Sequence, residues 1–146
     1  MLDKLPWDLA PQLPWHVFTS PATKWAVQPS FVIGEYLFIA YAALLLGHAL
    51  LQGEQRRQHV LAWVAALVAG TANDLIFMAL PLVDNFWQAQ ATIMITPRLP
   101  LYIPCVYIGF MYTSLVSVWR LNLPPLARAA LTGLAASVFY APYDIV

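Results

Sequence analysis

The stretch from residue 31 to residue 80 decides the fold. It reads FVIGEYLFIAYAALLLGHALL (Phe31–Leu51), then QGEQRRQ (52–58), then HVLAWVAALVAGTANDLIFMAL (His59–Leu80). Each flank is about as long as the 20 or so apolar residues a helix needs to cross hydrocarbon. The seven residues between them carry Glu54, Arg56 and Arg57, so they form a tight polar hairpin. Two runs of this length without alternating polarity exclude barrel strands, which run to about ten residues and alternate.

Two further spans follow the same reading, Leu101–Trp119 and Leu126–Ile145, separated by the short break RLNLPP. The expected architecture is therefore an all-α, integral membrane bundle of about four transmembrane helices over residues 31–146. Residues 1–30 form an irregular arm. The arm holds Pro6, Pro11, Pro14, Pro21 and Pro29, which forbid a long helix. Trp7, Trp15 and Trp25 suit a headgroup layer or a partner surface. The arm lacks the apolar stretch of a signal peptide. The loop from Pro81 to Pro100 carries Asp84, Asn85, Gln88, Gln90 and Arg98, and its segment FWQAQATIMI reads as an interfacial helix or an ordered loop over the bundle.

Composition supports this class and excludes others. The chain of 146 residues is 61% hydrophobic and only 10% charged, where a soluble domain carries about a quarter. Seven basic residues balance seven acidic ones, too few and too even to hold a nucleic-acid backbone. One cysteine, Cys105, permits neither an intrachain disulfide nor a cysteine metal cluster. Calling the N-terminal side A, the short B-side loops carry Arg56, Arg57, Arg120 and Arg128, so the positive-inside rule places B in the cytoplasm or its equivalent. The chain stops at Tyr-Asp-Ile-Val inside an apolar run, which reads as a truncated product or a helix ending against protein.

Three helices show small residues every four positions: Ala62, Ala66 and Gly70; Cys105, Gly109, Thr113 and Ser117; Ala129, Gly133, Ser137 and Ala141. Residues four apart share a helix face, and small ones let membrane helices approach closely. All three stripes are expected to pack. Ionisable groups at membrane depth cost about 2.5–3.5 kcal/mol each on insertion scales, so each asks for a reason. Glu35, Asp74, Asp144 and Arg98 all fall toward the A side, with Asn73 and Tyr140 near them. The expectation is a polar cluster of Glu35, Asn73, Asp74, Arg98, Tyr140 and Asp144, either binding a ligand or ion, or pinning the loop through an Arg98–Asp74 contact. His48 lies toward the B side. It is the best placed pigment ligand, for haem or chlorophyll, against the plainer reading of a hydrogen bond to an adjacent helix. His59 reads as interfacial. No metal-ligand set and no catalytic signature of a hydrolase, nucleotide-binding or dinucleotide-binding type occurs.

The stretch DNFWQAQATIMITPRLPLYIPCVYIGFMYTSLVSVWRLNLP, followed by GLAASVFYAPYDIV, resembles a functionally uncharacterised, multi-pass eukaryotic membrane domain family. The resemblance runs from about Glu35 to the C-terminus and is most specific over Trp87–Tyr107. It implies a longer parent chain and transfers no catalytic residue. Two functions follow as expectations. The first is a non-catalytic membrane subunit or scaffold of a larger complex, respiratory or photosynthetic in an organelle membrane, with lipids and other membrane subunits as partners. The second is a membrane enzyme or transporter for an apolar small molecule or ion, using the A-side cluster.

Overall fold

The computed structural model describes residues 18–80, 88, 91–96 and 98–144, with side chains up to Ala141. The arm before Phe18, including Trp7, Trp15 and His16, lies outside the described residues, as do Asp84, Asn85, Trp87 and Gln90 of the loop. Five helices are present among the described residues: α1 (Pro21–Val27), α2 (Pro29–Leu50), α3 (Arg56–Ala79), α4 (Tyr102–Trp119) and α5 (Pro125–Asp144). No strand occurs among the described residues, only isolated bridges joining Phe18 to Ile93 and Met94 to Pro100.

Proline and glycine set the boundaries. Pro21, Pro29 and Pro125 open their helices, where the missing N–H would have no intrahelical partner anyway. Gly53 takes φ +55, a left-handed conformation that glycine adopts without steric cost, and so turns α2 into α3 within a few residues. Leu80, at the end of α3, is extended at φ −81 and ψ 118, as a residue before proline must be. Within α4, Pro104 sits in the first turn, where no N–H is needed.

Among the described residues three helices are long and apolar enough to cross a membrane: α2, α3 with its preceding turn, and α4. The 20-residue α5, with Arg128 in its first turn and Asp144 at its end, is not among them. The burial is uneven. In the most apolar window of α4, 56% of residues are buried, against 17% for α2 and 17% for α3. Helix α4 is therefore the axis on which α2 and α3 lean, and α5 packs along its C-terminal half. Leu37, Leu44, Leu61, Val68, Ile76, Leu134 and Val138 remain outward and exposed. Apolar surface of that extent suits lipid rather than water.

The first two stripes are structural. Ala66 and Gly70 are buried, and a Cβ added at Gly70 would run into the ring of Tyr107 on α4. A Cβ at Gly109 would meet the Tyr41 ring at 3.0 Å, and the Tyr41 hydroxyl lies 2.7 Å from Thr113 Oγ1, one turn on. The third stripe departs from expectation. Ala129, Gly133, Ser137 and Ala141 are all exposed, and nothing lies within 4 Å of a Cβ built on Gly133. The side of α5 turned to the bundle carries Leu131, Thr132, Ala135 and Ala136, which are half-buried, with Tyr140 at its edge against Tyr107 and Phe110.

Candidate functional site

The A side is built around two buried carboxylates. Glu35, one turn and a half into α2, is 2% exposed. Its carboxylate accepts the backbone N–H of Thr92 at 3.0 Å on both oxygens, the Thr92 hydroxyl at 2.6 Å and the Ile93 N–H at 3.2 Å. Successive amides converging on one carboxylate form an anion cradle, and bonds to an ionised acceptor are stronger than neutral ones. The same loop is tied to the segment before α1 by Thr19 N–H donating to Thr92 O at 2.7 Å. Glu35 therefore fastens the loop over the helix ends.

Asp74 is 1% exposed and holds a different partner. Gly70, one turn earlier on the same face, leaves a gap across which the Tyr107 ring lies. Its hydroxyl then reaches Asp74 Oδ1 at 2.5 Å. Tyr140 stacks on Tyr107 with ring centroids 5.8 Å apart and planes 12° off parallel. The expected Arg98–Asp74 contact does not form. Tyr107 takes Oδ1, and Oδ2 has no partner among the described residues. Arg98 is buried in the loop, its N–H donating to Thr96 Oγ1 at 3.3 Å. Asn73 is exposed, and the Asp144 side chain lies outside the described residues. The structure thus joins Asp74 to Tyr140 through Tyr107, and gives Glu35 a separate set of partners.

The B side holds a constellation that pattern reading missed. His48 near the end of α2 and His59 near the start of α3 lie with ring centroids 5.7 Å apart. Tyr112 of α4 sits between them, its hydroxyl 2.9 Å from Nδ1 of each ring. His59 is 5% exposed, packed within the chain at the start of α3. Trp119 stacks on it at 5.2 Å and 8°. Tyr112 ends a π-helical turn, Ile108–Tyr112, within α4. Such a turn adds a residue to the helix and re-aims the side chains after it.

Proton directions in this chain are fixed by one contact. Gln52 Nε2 lies 2.9 Å from His48 Nε2 and 3.0 Å from the His48 carbonyl oxygen. A carbonyl only accepts, so the Gln52 atom is the amide nitrogen, and its second hydrogen points at His48 Nε2. Neutral His48 then carries its proton on Nδ1 and donates to the Tyr112 oxygen. The Tyr112 hydroxyl in turn donates to His59 Nδ1, which leaves His59 with an Nε2–H donor. Both nitrogens of His48 are engaged by Tyr112 and Gln52, so axial ligation of a pigment metal would break one of these bonds. Beside this chain opens a cavity of about 200 Å³, lined by His48, Gln52, Gln55, His59, Trp119 and Arg120, together with Val116. Among the described residues no group of three or more potential metal ligands converges.

His59 had a signal in the sequence. It lies seven residues before Ala66, two turns back along the stripe that continues through Gly70 to Asp74. Its nearness to Arg56 and Arg57 masked that register. Tyr112 had none, because the π turn breaks the spacing that would have placed it.

The model of one protein family, described as a domain of unknown function (DUF7802), matches residues 14–146. The chain belongs to this family. No curated protein and no solved structure matches it. For this DUF7802 member, function is therefore argued from its own geometry.

Proposed function

We propose that this DUF7802 protein is a non-catalytic, membrane-embedded subunit that seats helices of partner proteins, with α5 as a fourth crossing. One observation carries the reading. Two of the three small-residue stripes are filled within the chain, by Tyr107 and Tyr41, while that of α5 is open along its length. Small faces bring membrane helices into contact where no hydrophobic drive exists between them. An open one on α5 is a seat for a helix from another chain. Purification in mild detergent tests this: a fixed set of co-purifying subunits is expected, released by Gly133→Leu with helix content unchanged. A wild-type protein that runs alone under all mild conditions defeats the reading.

A second reading, a carrier or enzyme for an apolar small molecule, rests on a different feature. An apolar cavity of about 720 Å³ opens between α2 and α3, walled by Leu46, Trp63, Leu67, Leu75 and Cys105 among others. That volume falls within the range of small-molecule sites, about 300–1,000 Å³. Mass spectrometry and an absorption spectrum of the purified protein test it, a stoichiometric apolar molecule or pigment being the supporting result.

A further inference from the structure

The B-side cavity is lined mostly by polar side chains, and those that carry charge or a lone donor are hydrogen-bond donors. His59 offers Nε2–H, which has no protein partner among the described residues, although the residue is 5% exposed. Trp119, stacked parallel on His59, has an indole N–H as its only polar group, a donor. Gln55 adds an amide, and Arg120, in no ion pair among the described residues, adds a fixed positive charge. No carboxylate lines the space among the described residues. The adjoining hairpin has Arg56 and Arg57 against the single acid Glu54.

Position narrows the ligand. The lining residues come from the last turn of α2, the hairpin, the first turn of α3 and the last turn of α4, all at one end of the three membrane-length helices. The ends of helices of this length fall at the edge of the hydrocarbon core, where lipid headgroups begin. We propose that this cavity binds a phosphate group, that of a net-anionic phospholipid, with His59, Trp119 and Arg120 as donors. The Gln52–His48–Tyr112 chain is the positioning device, because it holds His59 in the tautomer that donates toward the phosphate. The site stands whether or not partner subunits join the bundle.

The full chain is reconstituted in nanodiscs of phosphatidylcholine with or without phosphatidylglycerol, and bound lipid is counted by native mass spectrometry. Retention of phosphatidylglycerol over phosphatidylcholine is expected, weakened about tenfold by Arg120→Gln. Arg120 is exposed, so this variant does not threaten folding. Gln52→Leu, which frees the His48 tautomer, is expected to weaken retention in the same direction. Inorganic phosphate is the second probe, followed by the melting temperature in detergent. A rise lost in Arg120→Gln without lipid selectivity supports the phosphate site and assigns it to the free anion. Equal retention of both lipids with no response to phosphate overturns the proposal. Selectivity that survives Arg120→Gln overturns it too, since the lipid then binds elsewhere.

Discussion

The two ends of the bundle bury polar groups for opposite reasons. At the A side, Glu35 and Asp74 are each met by donors from another part of the chain, and their hydrogen bonds hold a loop to α2 and α3 to α4. At the B side, His48, Tyr112 and His59 satisfy one another in a line that ends beside an open polar cavity. The A-side bonds tie one part of the chain to another, and the B side presents a donor to a cavity. Buried charge alone does not separate a fastening from a site. What separates them is whether the polar chain ends in protein or in space.

The sharpest break in this comparison is expected at Glu35. Glu35→Leu strips the acceptor from two backbone N–H groups and a hydroxyl at once, and each buried donor left unpaired costs about 1–3 kcal/mol. Its unfolding midpoint in a detergent titration is expected to fall further than that of any single substitution at Gly70, Tyr107 or Tyr112. A fall no greater than that of an exposed substitution would show that the loop is held by something other than Glu35.

Next in size is Gly70→Ala, which places a methyl group inside the Tyr107 ring and is expected to cost about 1–3 kcal/mol by overpacking. Tyr107→Phe removes the hydroxyl from Asp74 and is expected to cost a similar amount, since a buried carboxylate oxygen loses its donor. These residues touch, so Gly70→Ala with Tyr107→Leu is expected to fall well short of the sum of the two single losses. Full additivity would mean that the Tyr107 ring does not lie over Gly70.

Helix class and three of the four expected membrane-length segments were legible because run length and the absence of alternation are local properties; the fourth, α5, is helical but not apolar enough by the same measure. Burial of Glu35 and Asp74 was legible too, from depth within a span and, for Asp74, from the stripe ending in it. Their partners were not. Thr92 belongs to a polar loop whose path no periodicity describes, and Tyr107 meets Asp74 only because Gly70 leaves it room. Arg98, the obvious counter-charge, was a natural choice by sign, but the geometry gave Asp74 a neutral donor instead. The α5 stripe failed for the converse reason. A periodic small face marks one side of a helix, not the side that turns toward the rest of the chain.

The smallest stability effect and the most telling readout are expected at Tyr112. Tyr112→Phe removes one hydroxyl shared by two imidazoles, for a net loss of about 1 kcal/mol, because neither ring is a full charge left stranded. Its consequence lies in the protons. In the wild type, Gln52 fixes the proton of His48 on Nδ1, and Tyr112 passes that choice on, fixing the proton of His59 on Nε2. Without the hydroxyl, His48 keeps its contact with Gln52, but His59 Nδ1 loses its donor and the ring becomes a mixture of tautomers. Nitrogen NMR of labelled histidine in micelles reads this directly. Two rings of defined and opposite tautomer are expected in the wild type. In the variant His48 is expected to be unchanged and His59 averaged. An averaged His59 already in the wild type would break the line between Gln52 and the cavity, and with it the contrast between the two ends.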